Sequence, residues 1–299
     1  MKRLALILLA IVVTIASSTA CNPVTPPGPG VITDDHGRTV DIAETPERII
    51  SLAPSITEIL FALGLGDKVV GVTDRCDYPE EALDKPNVGS YFSTSLEAII
   101  AQNPDIVFSD GHDPVGTQLE ALGVTMVVLQ PQDIAGIYKD IELVGKIIGK
   151  EVAAEELVTE MEQRVSAVTE RTEGVEPPTV LYVIDASDTS KPWTVGAGSF
   201  IDTLIALAGG ENIVKVSQDY LQINLEEIVA CAPEIIIGTT SHGTISIPDF
   251  VNLPVWKEIN AVKEGRIYII QVDLVSKPGP RIVEGLEEIA KIIHPEMFP

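Results

Sequence analysis

Two glutamates occupy matching places in two copies of one segment, which is the first sign of paired chemistry in this chain. Residues 95–108 (SLEAIIAQNPDIVF) return at 224–237 (NLEEIVACAPEIII), with Glu97 and Glu226 each third in its copy. Each copy reads as a polar N-cap, a short amphipathic helix, a proline stop and an apolar strand. A carboxylate in the first helical turn gains roughly 0.3–1 kcal/mol from the helix dipole. That accounts for one glutamate, and duplication accounts for the second. The alternative is a symmetric acidic pair, set on matching surfaces, that meets a symmetric partner. Aromatic residues are scarce, at 5% of the chain, so their placement matters. Tyr78, Tyr91, Phe92, Trp193 and Tyr220 all fall where the pattern predicts loops at strand ends, the position from which rings line a ligand cleft. Sealing a loop onto its own core is the other reading for each ring taken singly.

Covalent chemistry finds little support. The chain has no Gly-x-Ser-x-Gly elbow, no phosphate-binding loop and no Gly-x-Gly-x-x-Gly after a strand. The four histidines, His36, His112, His242 and His294, are scattered, and no Cys/His spacing suits a zinc site. His112 and His242 stand out slightly, each just beyond the strand that follows a Leu-Glu helix and so at an edge that can face a cleft. A metal site there lacks obvious accompanying carboxylates. Cys76 and Cys231 fall in different halves, with nothing to support a bridge between them.

A second pair of matching segments precedes the first in the same order, 55–63 (SITEILFAL) and 199–207 (SFIDTLIAL). The period is too long for a solenoid and divides the chain into two related α/β lobes. Short β-rich strands alternating with helices predict mainly parallel sheets covered on both faces. In the first lobe a hairpin is expected over 31–42, then a buried strand at 48–52. A helix follows, opened by Pro54 and Ser55 with Glu58 completing a capping box, and then strands at 68–72, 105–108 and 124–129. The stretch 133–173 carries no strand signal and reads as one helix or a broken pair, giving a stiff connector. The second lobe follows with strands at 180–184, 235–237 and 267–270 and a last helix at 282–293. We divide the chain into 1–20, an export signal; 21–30, a Pro/Gly tether; 31–150, the first lobe; 151–173, the connecting helix; and 174–299, the second lobe. Within an irregular stretch over 73–94, residues 74–92 make the first lobe longer than the second at the corresponding place, a candidate cleft wall.

Met1-Lys2-Arg3, the apolar run 4–15 and the small residues before Cys21 form a bacterial-type export signal, with Cys21 placed for lipidation and ordinary cleavage as the alternative. The net charge is −24, and removal of Lys2 and Arg3 with the signal makes it more negative still. Such a field argues against nucleic acid and anionic lipid surfaces and suits a partner with basic docking residues.

With Cys21, 48–58 (RIISLAPSITE), 71–79 (GVTDRCDYP) and the two Leu-Glu segments, the chain resembles the periplasmic binding proteins of ABC importers, in particular the helical-backbone class that carries cobalamin, ferric siderophores and haem. The resemblance covers nearly all of the chain after the signal, and the context of Asp77-Tyr78-Pro79 is most similar to the cobalamin branch. It implies two α/β lobes joined by one long rigid helix, a ligand held between them, and no enzymatic activity. It implies that Glu97 and Glu226 dock onto arginines of a two-fold permease dimer. Arg75, Cys76, Tyr78, Tyr91, Asp110, Trp193, Tyr220 and Arg281 are the implied ligand-side residues. Arg75 and Asp110 stand where the cobalamin branch can carry aromatics. Arg75 and Arg281 would equally serve an anionic ferric chelate or haem propionates. The expectation is an exported monomer, periplasmic or on the cell surface, held at the membrane only by a lipid on Cys21. It has no resident metal or cofactor, and its cargo is a corrinoid. A ferric siderophore or haem carrier is the alternative, and an exported two-lobed metalloenzyme the competing class.

Overall fold

The computed structural model describes residues 27–239 and 253–298, so the signal segment, Cys21, most of the tether and His242 lie outside the described residues. Two four-stranded parallel sheets organise the rest. The first runs in the order β4 (Val69–Val72), β3 (Ile49–Ser51), β7 (Ile106–Ser109), β8 (Thr125–Val128). The second runs β11 (Glu211–Asn212), β9 (Thr179–Val183), β13 (Ile235–Thr239), β14 (Ile267–Ile270). Each lobe thus puts its first strand second in the sheet, its second strand at one edge, and the strand after the Leu-Glu helix third. The repetition seen in sequence is a repetition of topology.

Nearly unbroken apolar runs form these strands because both faces of each sheet are covered. Ile49, Phe108, Val180, Tyr182 and Ile237 belong to one contiguous core that reaches across both lobes, whereas the alternate residues Ile50 and Val107 face a core private to the first lobe. Leu181, Val183 and Ile236 likewise face a core private to the second. The shared core is filled by α4 (Ile134–Ile148), α5 (Glu151–Thr172) and the last helix, α10 (Ile282–Ile293).

The segment without strand signal is the broken pair, α4 and α5, and the second member runs 22 residues without interruption. Ala154, Val158, Met161, Val168 and Thr172 give α5 a single buried stripe at helical spacing. Gly145 lets α4 approach it: a Cβ there would come within 2.5 Å of Ala154 Cβ. Arg164 pairs with Glu287 of α10 through two hydrogen bonds of 2.9 Å, fastening the connector to the second lobe.

At the far edge of the first sheet, β1 (Pro27–Thr33) and β2 (Thr39–Glu44) form the expected antiparallel hairpin. Buried Asp34 accepts hydrogen bonds from Arg38 and from the backbone of Val128. Burial acts to raise its pKa, but these bonds hold the carboxyl below the usual aspartate range. Asp140 of α4, 2% exposed, faces Asp35 of the hairpin turn. Burial first, and the neighbouring carboxylate second, push its pKa up to about 8.

Candidate functional site

Helix starts place the two glutamates. The first Leu-Glu helix, α2 (Leu96–Ala101), is capped by Ser95, whose Oγ accepts from the Ala98 amide. The second, α7 (Leu225–Cys231), is capped by Asn224 with a reciprocal bond from Glu227, a full capping box. Glu97 and Glu226 therefore stand at the same point of the first turn, both exposed.

The helix α1 (Pro54–Ala62) begins differently from expectation. Its N-cap is Ala53 with Pro54 at the first position, and no side chain caps it. Glu58 is buried instead, where Arg281 of the second lobe donates to both its oxygens, at 2.6 and 3.1 Å. A cap needs a solvated carboxylate near the helix entry, whereas Glu58 points along the helix into the other lobe. Burial raises its pKa, with the guanidinium opposing. The Arg281 guanidinium also lies 3.7 Å from the centre of the Tyr78 ring, and Lys277 donates to Asp77 at 2.9 Å. These contacts form an interlobe seam. They bring Arg281 and Tyr78 together as expected neighbours, but the charge of Arg281 is met by Glu58 rather than held open. Sequence reading passed over Glu58, Asp77 and Lys277 in this role. The available signal was an ionisable residue among the apolar positions of 56–60. A cavity of about 680 Å³ borders the seam, flanked by Phe61, Asp67, Tyr78, Glu81 and Lys85.

The seam joins residues beyond the C-terminal ends of β3 and β4 to residues beyond the C-terminal end of β14, so the two sheets present those edges to one another. The remaining aromatic residues lie at other strand ends on the same edges. Tyr91 and Phe92 occupy the turn between β5 (Gly89–Ser90) and β6 (Ser93–Thr94), with ring centres 4.8 Å apart. Tyr91 donates to Asp110 Oδ2 at 2.5 Å, just past the end of β7, and burial together with that carboxylate raises the phenol pKa. Phe92 is 72% exposed. In the second lobe Trp193 and Tyr220 are not in loops. They sit on the short antiparallel strands β10 (Trp193–Val195) and β12 (Tyr220–Gln222), and Trp193 bridges to Asp185 beside the end of β9. Both rings are open, at 44% and 60% exposure. Three-residue strands fall below what alternation can reveal.

The remaining expected residues divide by burial. Arg75 is exposed, whereas Cys76 is buried under the same loop with Sγ 3.3 Å from Thr73 Oγ1, and burial pushes the thiol pKa up. Cys231 is exposed, and both thiols are free. Among the described residues, no helix is long and apolar enough to cross a membrane, and no group of three or more His, Cys, Asp or Glu converges as a metal site.

Comparison with known proteins covers most of the chain. A model of the periplasmic binding protein family matches residues 49–274. An uncharacterized ABC transporter substrate-binding lipoprotein of Bacillus subtilis is 32% identical over 277 residues, spanning 90% of this chain and 87% of that protein. A vitamin B12-binding protein of Vibrio cholerae is 29% identical over 252 residues, spanning 81% and 87%. Among solved structures, a periplasmic haem-binding protein from Roseiflexus superposes with a TM-score of 0.74 at 26% identity, over 84% of this chain and 99% of that one.

Proposed function

The chain belongs to the periplasmic binding protein family, and on that premise we propose that it captures a corrinoid between its lobes and delivers it to the permease of an ABC importer. The observation that carries this reading is the exposure of large rings on both lobes, Phe92 on one side and Trp193 with Tyr220 on the other, at the edges the sheets turn toward each other. Broad rings offered from two sides suit a large flat ligand held by dispersion and exclusion of water. The relatives named for vitamin B12 agree in class.

A ferric chelate or haem carrier is the second reading, favoured by the haem-binding structural relative. The pairing of Arg281 with Glu58 weighs against it, because a guanidinium already neutralised offers little to an anionic chelate or a propionate. Either cargo calls for the same delivery step, in which Glu97 and Glu226 meet basic residues of a two-fold permease. Export and attachment through Cys21 belong to this reading and place the protein outside the cytoplasmic membrane.

Titration of the purified protein with cyanocobalamin, haemin and ferric chelates tests the assignment. Micromolar or tighter binding of cyanocobalamin, with Trp193→Ala weakening it, is the expected result. Failure to bind any corrinoid while haemin or a ferric chelate binds would transfer the assignment to the second reading.

A further inference from the structure

The outward face of each Leu-Glu helix carries more than its glutamate. Ile100 of α2 and Val229 of α7 stand at the same place in the two copies, three residues after Glu97 and Glu226, and each is 40% exposed. Residues three and four apart share a helix face. Glu97, Ile100 and Ala101 therefore form one exposed patch, and Glu226, Val229 and Ala230 form its counterpart. The inward residues match as well, since Ile99 and Ile228 are both fully buried. Each helix thus has one aliphatic residue for its core and a second turned toward solvent beside a carboxylate.

Local stability does not call for these outward aliphatics. Residues branched at Cβ are weak helix formers, and the solvent side of a surface helix is ordinarily polar. Neighbouring positions change type between the copies, from Ala98 to Glu227 and from Asn103 to Ala232, whereas the outward aliphatic is present in both. The fastening of the helices matches too. The chain leaves each one through a residue in the left-handed region, Asn103 at a φ of +44° and Ala232 at +46°. Beyond the proline that follows, Asp105 accepts the Glu47 and Arg48 amides at 2.8 and 2.9 Å, and Glu234 accepts the Thr179 amide at 2.9 Å. Each helix end is thereby tied to the first strand of its own sheet. Two patches of one chemistry sit on two equivalent supports.

We propose that Ile100 and Val229 are the apolar half of the permease contact, each seated in an apolar hollow beside the cation that meets the neighbouring glutamate. The inference rests on the delivery step given above and specifies its partner: a two-fold permease whose subunits each offer a basic residue next to an apolar recess. The net charge of −24 favours a basic partner over an acidic one. An exposed ion pair, screened by salt, steers the approach and adds little holding strength of its own. Burying an aliphatic side chain next to it removes apolar surface from water and lengthens the life of the complex. A partner offering cations alone would satisfy the glutamates and leave both aliphatics in water.

The test measures uptake of labelled cyanocobalamin, or of haemin or a ferric chelate should titration assign that cargo, in cells whose only copy is the full chain or a variant. Ile100→Gln with Val229→Gln is expected to lower uptake about ten-fold or more, and each change alone by less. Glutamine forms helices at least as readily, so the melting temperature of the purified double variant should stay within about 2 °C and its cargo affinity within about two-fold. The exchange Ile100→Val with Val229→Ile keeps the apolar surface and should hold uptake within about two-fold. Full uptake by the double glutamine variant, with Glu97→Arg and Glu226→Arg together still abolishing it, would overturn the apolar contact and leave the docking glutamates in place. Full uptake by all of these variants would overturn both. Lost cargo affinity or a lowered melting temperature would return Ile100 and Val229 to a structural role and overturn the proposal.

Discussion

The two lobes share a strand order and differ almost entirely at the strand ends that face each other. In the first lobe the 73–94 segment supplies a thiol, a carboxylate-bound phenol and an exposed phenylalanine. In the second, the corresponding edge carries the β10–β12 pair with two open rings. The first edge is braced by the Tyr91–Asp110 bond, and the second presents its two rings on a strand pair braced by Gln218 and Gln222. The Leu-Glu helices, which follow directly on those segments, open at the same cap position in both copies. The two copies have kept the Leu-Glu helix starts alike and diverged in the segments at the strand ends.

The sharpest way to break this comparison is charge reversal. Glu97→Arg with Glu226→Arg should abolish uptake of labelled corrinoid in cells while affinity measured on purified protein is unchanged. The single reversals should hurt uptake to a similar degree if the lobes are equivalent at the permease. A loss confined to one of them would end the symmetric docking picture.

The seam is next in size. Truncating Glu58 to Ala leaves Arg281 without its partner, and removal of one member of a buried pair costs about 3–5 kcal/mol. Urea denaturation should show that loss in a single transition, since one core spans both lobes. Two separated transitions would mean that the lobes fold independently.

A pH-dependent difference belongs to the first lobe. Asp140 has a folded pKa near 8, above its ordinary value of 3.8. A raised pKa means that its protonated form is favoured on folding, so its contribution is complete below about pH 4 and is lost as pH climbs through 8. Melting temperature should fall over that window, and Asp140→Asn should flatten the profile. An unchanged slope in the variant would show that other groups control it.

The helix caps give the smallest effect and sharpen the comparison most finely. Ser95→Ala should cost about 1 kcal/mol. Asn224→Ala should cost somewhat more, because it also releases Glu227 from the capping box. Equal costs would show that the reciprocal bond adds nothing.

Sequence periodicity located the framework closely. β14 and the last helix have the bounds that the pattern predicts, and the second Leu-Glu helix opens at its expected cap. These elements are legible because local chemistry decides them, through continuous apolar runs, cap residues and proline stops. Glu58 was misread because its partner is 223 residues away and no local pattern reports on it. Trp193 and Tyr220 were assigned to loops because three residues are too few to show alternation. The Tyr91–Asp110 contact lay beyond reach for a different reason. It depends on how an irregular segment folds over a strand end, and turn chemistry alone leaves that path undetermined.

Two separate fastenings between the lobes, the α5 connector and the Glu58–Arg281 seam, have a kinematic consequence. Two rigid bodies pinned at two points keep one freedom, a roll about the line through the pins. Opening then cannot proceed as a hinge that gapes in every direction. A membrane complex gripping both lobes would have one lever arm to work with, and the torque it applies would be resisted first where guanidinium meets carboxylate.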